Sequence, residues 1–195
     1  MIYLASKSPR RRQLLASAGI PFEVVNRDPV GLPVFDNSNP GEYARELAAR
    51  KALAAKCPSD KLVLGCDTIV VLAGELLEKP PNERDAVEYL LRLQNNWHDV
   101  YTGIALWDRA RDILHSDVER TRVHFAPLTL EDIEAYVLTG EPMDKAGAYG
   151  IQEKGALLIR EIDGDYFNVV GLPLFRLTLL LEKFNIKVRD LIARC

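Results

Sequence analysis

The chain has 195 residues, 48% hydrophobic and 27% charged. This globular makeup excludes disorder as the main state and, with roughly 70% of the unfolded surface buried at this size, calls for no disulfide or structural metal. Its 25 Lys+Arg and 28 Asp+Glu leave a formal charge of -3, which argues against a general nucleic-acid binder and requires any polyanionic partner to meet locally concentrated positive charge.

The predicted elements alternate strands and helices. Residues 2–5 read as a short strand. Ser8 then caps a helix with Pro9 at its first position, closed by Gly19. A second strand over 22–25 leads into a loop, 28–39, that carries Pro29 and Pro33. Asn39 opens a helix that runs to about Lys56, with Glu42 reaching back as in a capping box. After Pro58-Ser59, two apolar strands, 62–65 and 69–72, flank Asp67-Thr68, and a turn at Ala73-Gly74 leads to a strand at 75–77. Pro80-Pro81-Asn82 stops that ribbon and caps a helix over 83–93. Strands 100–107 and 113–125 form a long hairpin, and Thr129 with Asp132 caps a helix over 130–138. A glycine-bearing loop over 144–152 precedes a second hairpin, 156–162 with 166–170, and Pro173 starts a last helix to about Phe184. Helices between and outside antiparallel hairpins predict an α/β (α+β) fold. Its layers flank a curved mixed β-sheet, with two lobes around a central cleft, in a single domain over 1–195.

The longest uncharged runs, 13–22 and 166–175, fall far short of the ~20 residues of a membrane span. Arg10-Arg11-Arg12 follows the short apolar start, where a signal peptide would have basic residues before it. Cys57, Cys66 and Cys195 are widely spaced and read as reduced thiols. A cytoplasmic protein with no membrane partner is expected. His98, His115 and His124 form no zinc-ligand spacing, and the chain holds neither a P-loop nor a G-x-G-x-x-G sequence.

The chemistry lies in isolated charges. Arg10, Arg11 and Arg12 occupy the first turn of a helix, where they oppose the macrodipole. A solvated basic face is the plain explanation. The sharper one is a polyanion held by free N–H groups, guanidinium forks and the hydroxyls of Ser6 and Ser8. Asp67 interrupts apolar sequence on both sides, so its carboxylate is buried or lines a cleft and needs a cation, a metal, a role in proton transfer or nearby backbone N–H groups. Lys51 falls on the apolar stripe of its helix with Tyr43 and Leu47, Lys79 leaves a strand end before Pro80-Pro81, and Lys145 sits in the glycine loop. With the arginines they supply about five positive charges for a substrate of about four negative ones.

These residues resemble the Maf nucleotide pyrophosphatases over essentially the whole chain. The resemblance rests on Leu4-Ala5-Ser6-Lys7-Ser8-Pro9-Arg10-Arg11, Gly65-Cys66-Asp67-Thr68, Glu78-Lys79-Pro80, Asp144-Lys145-Ala146-Gly147-Ala148-Tyr149-Gly150-Ile151-Gln152 and Val170-Gly171-Leu172-Pro173. The Ala-Tyr-Gly-Ile-Gln version of the loop, with Asp-Thr, is similar to the branch that acts on dTTP and UTP. By that resemblance the fold is Maf/ITPase-like and the reaction hydrolyses a nucleoside triphosphate to the monophosphate and pyrophosphate. Asp67 would be the proton acceptor and a metal ligand. Arg10, Thr68 and Gln152 would set nucleotide choice, Lys51, Lys79 and Lys145 would hold phosphate oxygens, and Ser8 and Arg11 would complete the loop around the triphosphate. A divalent cation, Mg²⁺ or Mn²⁺, is the implied cofactor and a homodimer the implied assembly. The family's alternatives are a 7-methyl-GTP-type pyrophosphatase and a non-catalytic regulator of septum formation. One departure stands out. The family places a glutamate after the second strand, and residues 26–33 contain none, which leaves Asp28 and Asp36 as the nearest carboxylates to stand in.

Overall fold

The structure is a computed structural model that describes residues 1–58 and 60–192; Ser59 of the expected turn and the expected thiol of Cys195 lie outside them. Cys57 and Cys66 are free thiols, and no helix among the described residues is long and apolar enough to cross a membrane. The expected mixed sheet is present, with seven strands and helices flanking it.

The scaffold is the long hairpin of β5 (Trp97–Asp108) and β6 (Ile113–Phe125), with β3 (Leu62–Leu72) antiparallel along β5 from Leu62↔Asp108 to Val71↔Asp99. On the other edge of β3 the partner changes part-way. The short β1 (Ile2–Leu4) runs parallel to β3 only as far as Leu4↔Leu64 and pairs on its far side with β2 (Phe22–Val24). The next partner, β4 (Glu75–Leu77), begins at Val70↔Leu77. Between these ladders one edge of β3 opens, and a change of strand partner is the kind of place where an α/β sheet offers a crevice.

Side chains alternate along β3. Val63 packs with Tyr3, Ala48, Ala52 and Ala105 on one face, beneath α2 (Pro40–Leu53). Leu62, Leu64 and Cys66 pack on the other with Leu15, Ile104, Leu172 and Leu177, beneath α1 (Pro9–Ser17) and α6 (Leu174–Glu182). A third cluster joins α3 (Glu83–Leu93) and α4 (Leu130–Val137) through Leu90, Leu93, Phe125 and Ile133. α2 can lie so close to the sheet because two sheet positions have no side chain. A Cβ on Gly65 would come within 2.1 Å of the Ala48 carbonyl oxygen, and one on Gly103 within 2.1 Å of that of Ala44.

The caps at Asn82 and Thr129 form as expected: Asn82 accepts from the Asp85 N–H, and Thr129 and Asp132 make a full capping box. Asn39 also caps α2, but Glu42 turns to Arg45 instead of reaching back, and the helix ends at Leu53. The two apolar strands around Asp67-Thr68 are one continuous strand, because β5 pairs with both residues, Asp67↔Gly103 and Thr68↔Thr102. The hairpin strand over 100–107 begins at Trp97. The second hairpin does not form. β7 (Ile159–Asp163) pairs with β6, and residues 166–170 become a short helix, α5 (Tyr166–Val170). There Asp165 caps Phe167 N–H, and the buried Asn168 amide donates to Val100 O and Thr121 Oγ. A further helix, α7 (Val188–Ile192), follows α6.

Candidate active site

Ser8, Arg10, Arg11, Lys51, Asp67, Thr68, Lys79, Lys145 and Gln152 all line one cleft at the open edge of β3. Its apolar walls come from two of the packed clusters: Val70, Val100 and Tyr149 from one, Ile151 and Val170 from the other.

Asp67 faces α2, where Lys51 donates to its Oδ1. Both side chains are mostly buried, with relative exposures of 15% for Asp67 and 17% for Lys51. Burial pushes the Lys51 ammonium below the ordinary lysine range, and the Asp67 carboxylate offsets this only in part. The one-turn spacing of Tyr43, Leu47 and Lys51 puts the lysine on the buried stripe of α2, and the glycine contacts under that helix bring it within reach of β3.

Thr68, the next residue, points to the opposite face and meets α1. Arg11 Nη2 donates to Thr68 Oγ at 3.0 Å, its Nη1 to Ser6 Oγ at 3.0 Å, and its Nε to the Gly171 carbonyl at 2.8 Å. Arg11 therefore ties α1, β3 and the turn after α5 together, with two of its five N–H groups left for a ligand. Gly171 must be glycine here, with φ +124 and a would-be Cβ 3.4 Å from Thr68 Oγ. Ser8 is the cap position of α1 but makes no side-chain capping bond. Arg12, two helical positions on from Arg10, is exposed and outside the cleft lining.

The glycine loop brings Lys145, while Lys79 comes from the segment after β4. Asp144 accepts from Lys145 Nζ at 2.7 Å and lies 3.6 Å from Arg10 Nη1. Burial raises its carboxyl pKa, but Lys145, Arg10 and Lys79 outweigh that and hold it below the usual carboxylate range. The loop is built on Glu141, whose carboxylate accepts from Tyr136 O–H at 3.0 Å, Gly155 N–H at 3.1 Å and Lys154 N–H at 3.2 Å, while its carbonyl accepts from Lys145. Sequence reasoning singled out neither residue for a role. Asp144 was legible as the neighbour of Lys145, whereas nothing local marks Glu141, whose partners come from an earlier helix and a later turn.

Asp28 pairs with Lys56 and Asp36 accepts from Ser38, both at exposed positions outside the cleft lining. Neither replaces the glutamate absent from residues 26–33. Among the described residues no group of three or more His, Cys, Asp and Glu forms a ready metal cage.

The family model described as Maf-like protein matches residues 1–184, a span that contains every residue of this cleft. The chain belongs to the Maf-like family. A dTTP/UTP pyrophosphatase of Bacillus cereus (strain AH820) is 48% identical over 188 residues, covering 96% of this chain and 97% of its own. The dTTP/UTP pyrophosphatase of Dictyoglomus turgidum (strain DSM 6724 / Z-1310) is 45% identical over 185 residues, covering 94% and 96%. The Maf-like match thus extends over the whole sheet and all helices that frame the cleft.

Proposed function

We propose that the chain hydrolyses nucleoside triphosphates of the dTTP and UTP kind to the monophosphate and pyrophosphate. The observation that carries this reading is one mostly buried carboxylate, Asp67, paired with Lys51 in a cleft that Arg10, Lys79 and Lys145 also line. The Bacillus cereus and Dictyoglomus turgidum relatives named dTTP/UTP pyrophosphatase support the choice of nucleotide.

The cations and Ser8 hold the phosphate chain, and a phosphate oxygen competes with Asp67 for the Lys51 ammonium. Asp67, released from its partner, takes the proton of a water that attacks the α–β linkage. Binding of the substrate thus frees the base that acts on it. A Mg²⁺ or Mn²⁺ ion needs only one or two protein carboxylates when phosphate oxygens and water fill its other positions. With no preformed cage, the residues fit an ion that enters with the nucleotide, and Asp67 would hold it. Such an ion, when bound, supplies charge neutralisation of the phosphates and a positioned water.

Product analysis with dTTP and UTP in the presence of Mg²⁺ or Mn²⁺ tests the reading. Pyrophosphate is the expected first product, and Asp67→Asn is expected to lower kcat by about 100-fold or more with the melting transition retained. Orthophosphate as first product, or wild-type turnover by Asp67→Asn, would sink it.

A further inference from the structure

The neighbours of the Thr68 hydroxyl fix its hydrogen-bond polarity. Behind it, at 2.9 Å, stands the hydroxyl of Thr102, a fully buried residue of β5 outside the cleft lining. Thr102 Oγ in turn lies 2.9 Å from the backbone carbonyl of Asn168, also fully buried. A helix would satisfy that carbonyl with the N–H of Leu172, but Leu172 N–H and Gly171 N–H both donate to Phe167 O. Thr102 is therefore the donor that the Asn168 carbonyl needs, and a hydroxyl has only one hydrogen to give.

The rest follows from that commitment. Because the Thr102 hydrogen goes to Asn168, Thr68 must be the donor in the Thr68–Thr102 bond. Arg11 Nη2 meanwhile donates to Thr68 Oγ and occupies one of its two lone pairs. What Thr68 has left is a single acceptor site. Phosphate oxygens only accept, so the complementary group is an N–H or O–H of the nucleotide. Uracil and thymine present such a donor, the imide N3–H between two carbonyls, whereas cytosine presents a bare lone pair at N3. Gln152 cannot make this distinction alone, since its amide can rotate to offer either polarity.

We propose that Thr102 is a positioning residue that fixes the Thr68 hydroxyl as an acceptor, and that this polarity selects the imide N–H of uracil or thymine over cytosine N3. The inference rests on the pyrophosphatase reading above and explains how that site reads its base. Without Thr102 Oγ, the Thr68 hydrogen loses its internal acceptor and turns to the cleft, where cytosine N3 can receive it.

The test compares kcat/KM for UTP, dUTP and dCTP, from pyrophosphate release, in wild type, Thr102→Val and Thr102→Ser. The dUTP/dCTP ratio is expected to fall roughly tenfold or more in Thr102→Val and to stay at the wild-type value in Thr102→Ser, which keeps the relay oxygen. An unchanged ratio in Thr102→Val, or equal loss on both substrates, overturns the proposal. A shift in UTP/dUTP instead assigns the acceptor to a sugar hydroxyl and also overturns it. Should the melting transition show that Thr102→Val does not fold, Thr102→Ala, which also lacks the relay oxygen, supplies the same decision. Its dUTP/dCTP ratio must fall, and an unchanged ratio counts against the idea. A wild-type chain that releases no pyrophosphate from UTP or dUTP overturns the functional reading itself, a result separable from failure of the relay alone.

Discussion

His98 is a buried imidazole whose Nε2 lies 2.7 Å from Tyr149 O–H, a residue of the cleft wall, and whose ring packs edge-on against Phe125. Burial, with a smaller contribution from His124, holds its pKa down at about 3. Between that value and the ordinary 6.5 the unfolded chain binds a proton that the native one does not, so stability falls as pH drops through this window. From pH 7 to 4.5 the loss from this group is about 2–3 kcal/mol. Urea midpoints are expected to show that acid loss in wild type and a flatter limb in His98→Gln. Glu141 belongs to the same scale, because its carboxylate accepts three hydrogen bonds and a neutral amide cannot. Glu141→Gln is expected to cost about 1–3 kcal/mol and, by loosening the loop that carries Lys145 and Gln152, to raise KM for the triphosphate more than it lowers kcat. Steady-state kinetics beside a denaturation curve would show it, and wild-type KM would remove Glu141 from the site's support.

At the scale of elements, the decisive contact is α2 against β3 and β5. Gly103→Ala places a methyl 2.1 Å from the Ala44 carbonyl, so the helix must lift. The expected cost is about 1–3 kcal/mol or more, together with loss of turnover, since Lys51 moves away from Asp67. A variant with wild-type stability and rate would refute this account of how the ion pair is placed. Helical periodicity is local, so α2 and the stripe of Tyr43, Leu47 and Lys51 are legible in the sequence. The polar pair Asp67-Thr68 breaks an apolar run and so looks like a division between two strands. The pairing of both with β5 that makes the strand continuous is a contact across about 35 positions of sequence. Tyr166–Val170 misled in the other direction: aromatic and β-branched residues read as a strand, while Asp165 and the buried bonds of Asn168 hold a helical turn.

For the whole molecule, the relevant feature is charge concentrated against a net charge of -3. Arg10, Lys51, Lys79 and Lys145 line one cleft while the overall charge repels an anion. KM for a triphosphate is therefore expected to rise steeply with ionic strength, with kcat changing less, as salt screens long-range attraction more than contacts inside the cleft. A KM indifferent to salt between low and physiological strength would mean that the cleft draws its ligand by other means.

The sequence alone determined most element types and caps, and it marks Arg10, Arg11, Lys51, Asp67, Lys79 and Lys145 by charges out of keeping with their surroundings, with Ser8 as a hydroxyl beside them, while Thr68 and Gln152 join the set through the resemblance to the Maf pyrophosphatases. Tertiary structure decided how they relate. It placed Asp67 and Thr68 on opposite faces of one strand, gave Arg11 to Ser6, Thr68 and Gly171, and left Asp28 and Asp36 outside the cleft. Those outcomes depend on which strand edge stays unpaired and on two glycines that let a helix come close. Both are properties of backbone packing between segments far apart in the chain, and no local pattern of residues encodes them.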